Sequence, residues 1–217
     1  KVREIYHIDI VSIEGATIVI ENQFSELLKK TLFKGYLLDN CDYSIEVYKQ
    51  LFHPKNYVNG FVLYRKYSRK DAFRILNWES NPLAQNVGGY MISPDKRNCP
   101  IFVNYHKEEG ISDTTKYEDG FINNHEIIYM SKSKRKINSP DVLAFRNAKD
   151  KMHLPLFVKK HNDEGTEFYY MGDVSPISDK FVQTTMGENV SVVKMKFSMN
   201  QPVADEIYDY ITDKKDI

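Results

Sequence analysis

Between Tyr67 and Lys136 the sequence interleaves aromatic rings, one acidic pair and two groups of cations. Tyr105, Tyr117 and Tyr129 offer flat surfaces, and Glu118 and Asp119 are adjacent carboxylates. Ser131 opens the basic run Lys132, Ser133, Lys134, Arg135 and Lys136, and a second cationic group comprises Arg65, Lys66, Arg69, Lys70 and Arg74. These residue types suit a nucleobase and its backbone. Rings stack on the base, a carboxylate accepts from an exocyclic amino group, and cations and hydroxyls hold phosphate oxygens. Each also has a plainer use. Most of fifteen tyrosines must pack in a core, a basic run is often only a solvated loop, and Asp119 suits a turn cap beside Gly120. Asp173, after Gly172 in the run Phe168 to Val174, is a second acidic candidate.

Other chemistries find little support. The histidines His7, His53, His106, His125, His153 and His161 form no HxH or HxxxH pair, and Cys41 and Cys99 form no CxxC, so no metal centre is indicated. There is no GxSxG elbow, P-loop or dinucleotide fingerprint, and Asp163-Glu164 fall in an evident turn. The chain reads as a binding domain with no cofactor of its own. Two alternatives stay open: a protein-interaction module, and a magnesium-dependent nuclease built on Glu118 and Asp119.

Formal net charge is zero, so any attraction for nucleic acid must come from how the cations are distributed. The hydrophobic fraction of 41% and charged fraction of 28% match a globular protein. No apolar run has the length of a transmembrane helix, and Lys1-Val2-Arg3-Glu4 lacks a signal-peptide core, which gives a cytoplasmic protein as the expectation.

The elements that must position these groups follow from periodicity. Ile8 to Ile20 predicts two strands about Gly15, and helical spacing follows from Phe24 to Leu32 and from about Tyr43 to Phe52. Residues 1–60 are expected to form a small α/β connector, with His53 to Gly60 as the boundary and residues 61–217 as the recognition domain. Ser68 with Asp71 three residues on predicts a capped helix whose first turn carries Arg69 and Lys70 and whose N-terminus could receive a phosphate. From Gly88 the pattern becomes short strands: 89–92, 101–106, 126–131, 154–160, 167–174 and 191–198. One helix starts at Pro140 and a last one near Pro202. Many strands and few helices predict an α+β domain with a curled or closed β-sheet.

The ordered motifs YSRKDAFRILNWE, AQNVGGY, CPIFVNYHK, KYEDGFIN, SKSKRKINSP, LFVKK and FYYMGDV resemble a family. It is the C-terminal target-recognition domain of type IV restriction enzymes, which join a phospholipase-D-like nuclease to a helicase-type ATPase. The resemblance covers roughly Tyr64 to Tyr210. It implies a partner, double-stranded DNA carrying 5-methylcytosine or 5-hydroxymethylcytosine, with other domains of a parent enzyme as further partners. ATP and magnesium would serve that parent only. By analogy with other readers of modified cytosine, it implies an SRA/PUA-like curled β-barrel flanked by helices and a flipped base. Asp119, then Glu118, would read the base edge, Tyr105, Tyr117 and Tyr129 would stack on it, and Ser131 with the following cations would clamp a phosphate.

Overall fold

The computed structural model divides the chain at Pro54, into Lys1–Pro54 and Lys55–Ile217. It describes residues 9–51, 56–79, 82–106, 119–148, 151–187 and 189–213. The first unit holds a hairpin, β1 (Val11–Glu14) and β2 (Thr17–Ile20), turned at Gly15 with φ +63°, which only glycine adopts without strain. Helices α1 (Asn22–Leu28) and α2 (Thr31–Leu51) follow, and Phe24 of α1 meets Phe33 of α2 edge to face. The two separate helical stretches expected from periodicity become a short helix, a break at Lys29-Lys30 and one continuous helix that includes Gly35.

The second unit begins with a hairpin, β3 (Tyr57–Val58) and β4 (Phe61–Val62). Its turn is Asn59-Gly60, both at positive φ, the Asn-Gly chemistry that suits a tight two-residue connection. Within the expected boundary segment His53 to Gly60, Tyr57 to Gly60 thus belong to this hairpin. Then come β5 (Lys66–Ser68), α3 (Arg69–Ile75), α4 (Ala84–Val87), β6 (Ile101–Asn104), β7 (Gly120–Asn123), β8 (Glu126–Met130) and α5 (Pro140–Arg146). The chain closes with β9 (Pro155–Lys159), β10 (Glu167–Pro176), β11 (Val182–Met186), β12 (Val190–Met199) and α6 (Asp205–Thr212). The strand expected at 89–92 is only a bridge, Tyr90 to Ile101.

Eight strands form one curled sheet in the order β6-β9-β10-β12-β8-β7, with β5 added on β10 and β11 on β12, so the α+β class and curled sheet are as expected. Pairing is antiparallel except β6 with β9. In β12 the buried Val193, Met195, Phe197 and Met199 alternate with partly exposed Lys194, Lys196 and Ser198, the period of a strand covered on one face. One core cluster joins those residues to Ile101, Val103, Ile127, Tyr129, Leu156 and Val158, closed by Val142 and Phe145 of α5 and Ile211 of α6. The other is aromatic: Phe61, Tyr67, Phe73, Trp78, Phe102, Phe157, Phe168 and Tyr170 pack where α3 covers the sheet. Each fully buried Phe side chain contributes about 1.5–3 kcal/mol. Trp78 is a packing anchor here, edge-on to Phe73 at 4.6 Å.

A buried carboxylate ties these parts together. Asp173 Oδ1 accepts from Tyr170 Oη at 2.7 Å and His153 Nε2 at 2.8 Å, and its Oδ2 accepts from Asn59 Nδ2 at 2.6 Å. The bulge at Gly172, φ +103°, interrupts the β9–β10 register beside it. Burial pushes the Asp173 carboxyl up, but His153, Tyr170 and Asn59 outweigh it and leave the carboxyl below the usual aspartate range. A depressed folded-state value means stability that is complete above the unfolded value, about 3.9, and is lost as pH falls below it. Asp173→Asn should therefore cost about 2–4 kcal/mol at neutral pH. Urea denaturation at stepped pH checks this: the wild-type loss on acidification below about pH 4 should flatten in the variant.

Candidate functional site

The two basic segments, distant in sequence, converge on Gly88-Gly89-Tyr90. From the first, the Arg69 guanidinium lies 5.2 Å from the Phe102 ring and 4.6 Å from the Phe168 ring. The Phe102 N–H donates to the Gly89 carbonyl at 2.7 Å. From the second, Lys132 Nζ sits 4.8 Å over the Tyr90 ring, and its side chain passes Gly88. Tyr129, T-shaped against Tyr90, completes the neighbourhood, with its hydroxyl against Gly89.

The cations of this region differ in what they face. Arg69 has no hydrogen bond or ion pair among the described residues, and its Nε is buried without a partner. Burial pushes its guanidinium down from the usual arginine value. Arg135, by contrast, is committed: its Nε donates to Asp141 Oδ2 at 2.8 Å, an oxygen that also accepts from Tyr90 Oη at 2.6 Å. Burial raises the Asp141 carboxyl, but the bonds from Tyr90 and Arg135 outweigh it and hold it below the usual range. Arg74 lies 3.7 Å from Asp71. Lys66 stands over the Tyr169 ring at 4.6 Å, Arg65 is exposed 6.0 Å from the Tyr67 ring, and Lys70, Lys134 and Lys136 are exposed. Lys134 has φ +63°, a left-handed conformation that disfavours any side chain.

The cap on α3 forms as expected. Ser68 Oγ accepts from the Asp71 N–H at 3.1 Å and donates to Asp71 Oδ2 at 2.6 Å. That places an acidic side chain in the first turn of a seven-residue helix, so its N-terminus is not the phosphate seat expected from sequence.

Of the base-pocket residues, Tyr117 and Glu118 lie outside the described residues. Asp119 precedes β7, and its Oδ1 accepts from the Met130 N–H at 2.7 Å, which orients a group able to accept about four bonds. Tyr105 follows β6, stacks on Phe121 at 5.9 Å, and sets its hydroxyl beside Gly120, so Tyr105 and Asp119 lie near one another. Burial pushes the Tyr105 hydroxyl up. Tyr129 is a core wall, 4% exposed, and not an open stacking platform. Ser131 is fully buried: its hydroxyl accepts from the Val193 N–H at 2.8 Å, a ladder role that corrects its expected place in a phosphate clamp.

Sequence reasoning missed one concavity. A polar cleft of about 540 Å³ is lined by Asn59, Lys151, His153, Asp173, Ser175 and Asn200 together with apolar residues between them. Asp173 was visible as an acidic candidate, but His153 carried no signal until the fold set it against β10. In the cleft Asp173 is an anchor with three donors. Among the described residues no group of three His, Cys, Asp or Glu could hold a metal ion, and no helix is long and apolar enough to cross a membrane.

Gly89 is required by close approach, since an added Cβ would overlap the Tyr129 hydroxyl. Gly89→Ala should cost about 1–3 kcal/mol. Tyr129→Phe removes the obstructing oxygen, so the double variant should be more stable than the sum of the single losses, a coupling that denaturation of all four proteins measures.

A family model described as a domain of unknown function, DUF3427, matches residues 61–211. No curated protein matches. Similar solved structures include the SUVH5 SRA domain in complex with fully methylated CG DNA, at 14% identity and a TM-score of 0.45 over 69% of this chain and 96% of that one. The DNA modification-dependent restriction endonuclease AspBHI is similar at 13% identity and a TM-score of 0.47, over 69% of this chain and 44% of that one. Arabidopsis thaliana SUVH6 is similar at 12% identity and a TM-score of 0.44, over 93% and 36%. With well over half its length matched by that one family model, the chain belongs to the DUF3427 family.

Proposed function

We propose that the unit Lys55–Ile217 binds double-stranded DNA and reads 5-methylcytosine or 5-hydroxymethylcytosine by extruding the base. The observation that carries the DNA reading is Arg69: a guanidinium with a buried, unpartnered Nε and no acidic partner among the described residues, placed where the two basic segments meet. Partial burial of a cation without a counter-charge is unfavourable, and a phosphate diester would supply the anion. Lys134 points the same way. An exposed lysine held in left-handed backbone costs about 1 kcal/mol relative to glycine, and in this reading its charge serves the DNA backbone.

Modified cytosine as the ligand rests on the motif resemblance. Asp119, oriented by the Met130 N–H, would accept from the N4 amino group, with Tyr105 stacking beside it. Arg65, Lys66, Lys70, Lys132, Lys134 and Lys136 would follow the backbone, and Arg135 would hold the loop through Asp141. In this reading ATP hydrolysis and strand cleavage belong to other domains of a longer type IV restriction enzyme working on cytoplasmic DNA.

Titration of otherwise identical duplexes tests the ligand. A methylated duplex should bind about fivefold more tightly than the unmodified one, the worth of one buried methyl. Asp119→Asn, whose oxygen keeps the Met130 bond and turns an amide toward the base, should abolish that preference. Equal wild-type affinities would sink the modified-base reading.

Arg69→Met keeps the packing against Phe102 and Phe168 and removes the charge. It should leave stability unchanged or raised, while lowering affinity for every duplex about tenfold and the salt slope by about 0.9. Lys134→Gly should likewise stabilise the fold and weaken DNA binding. A folded Arg69→Met protein with wild-type affinity and salt slope would exclude Arg69 as a phosphate contact.

A further inference from the structure

Strand β11 adds little to the interior. Val182, Gln183, Thr184 and Thr185 are exposed, Met186 is partly buried, and no residue of the strand enters either core cluster. Among the described residues its strand partner is β12, in a register running from Val182 opposite Lys194 to Met186 opposite Val190. Apolar burial, the usual gain from adding a strand, does not account for it.

What β11 and the first half of β12 do hold is the basic loop after β8. The Ser131 N–H donates to the Val193 carbonyl at 2.9 Å, and Ser131 Oγ accepts from the Val193 N–H at 2.8 Å. Ser191 Oγ donates to the Arg135 carbonyl at 2.8 Å, and Gln183 Oε1 accepts from the Ile137 N–H at 3.0 Å. The loop is thus tied to one hairpin at residues 131, 135 and 137. Between the last two, the Lys136 N–H donates to Ser139 Oγ at 2.9 Å. Exposed Lys134 and Lys136 flank Arg135, whose carbonyl is held by Ser191 and whose side chain is held by Asp141. Lys134, in left-handed backbone at φ +63°, is the residue most ready to relax if the ties were cut.

We infer that the β11–β12 hairpin orders the loop in the free protein, with Gln183 and Ser191 as positioning residues that act on DNA through the loop's backbone. The inference rests on the reading of Lys134 and Lys136 as phosphate contacts. A loop already ordered before binding loses less conformational freedom when its lysines meet phosphates, so more of each contact appears as affinity. Two uncharged side chains therefore control how well the cations work, equally on methylated and unmodified duplexes.

Titrations of both duplexes at several salt concentrations, with hydrogen exchange of the free proteins, test this in Gln183→Met, Ser191→Ala, their combination and Ser191→Thr. Gln183→Met keeps the length of the side chain and removes the acceptor, whereas Ser191→Thr keeps the hydroxyl. The combined variant should exchange the amides of residues 132–137 faster and bind both duplexes about tenfold more weakly. Unlike Arg69→Met it should keep the wild-type salt slope, because no cation is removed. Ser191→Thr should behave as the wild type. If the combined variant fails to fold, Gln183→Met alone, at an exposed position, carries the same expectations at about threefold. Wild-type affinity in the folded variants, or loop exchange that they leave unchanged, would overturn the inference and leave the DNA reading standing. A wild-type protein that binds no duplex would overturn both.

Discussion

The architecture of the larger unit depends on a carboxylate that solvent barely reaches. Asp173 is 4% exposed, and an unpaired charge at that depth would cost more than the unit's secondary structure could offset. Its donors come from three places in the chain: the turn of the β3–β4 hairpin, the segment entering β9, and β10 itself. The backbone carbonyl of the same residue accepts from Asn200 at the end of β12. One residue thus fixes where the hairpin meets the sheet, where β9 begins and where β10 passes from β9 to β12.

The DNA-facing side inherits that order. β10 pairs with β5, and β5 leads directly into α3, so the position of Arg69 over Phe102 and Phe168 follows from the register of β10. The loop after β8 is fixed separately, by the Arg135–Asp141–Tyr90 network. Gly89 lets Tyr129 come close, since an added Cβ would overlap its hydroxyl, and Gly88 makes the turn beside Lys132 at φ +60°. Cations of the two basic segments consequently have different fates. Arg135 and Arg74 face carboxylates, whereas Arg69 faces rings.

The strands β8, β9, β10 and β12 were legible because each alternates or runs apolar for five residues or more, and the helix starts at Ser68 and Pro140 were legible from single residues. β5 and β7 escaped notice because three or four residues give too short a pattern, and β11, VQTTM, because its first four residues are exposed and offer no apolar face. The sequence showed Asp119, Tyr105 and both basic segments as candidates, and Asp119 and Tyr105 do come together. It did not show that Ser131 serves the sheet or that Arg69 packs over the Phe168 ring, since both depend on partners sixty or more residues away. The Asp173–His153 pair was hidden for the same reason.

The pairing of β5 with β10 also bears on how the protein is made. Ser68 meets Glu167, so the edge strand that launches α3 waits for about 100 further residues before it has a partner. The parallel pairing of β6 with β9, Ile101 with Leu156, and the closure of β10 on β12, Val174 with Met199, add shorter delays. During synthesis the aromatic face of α3, with Phe73 and Trp78, therefore emerges long before Phe157, Phe168 and Tyr170 exist to cover it. Such a domain acquires its stability late and nearly all at once, and the ribosome-bound chain must stay soluble until its last long strand is released.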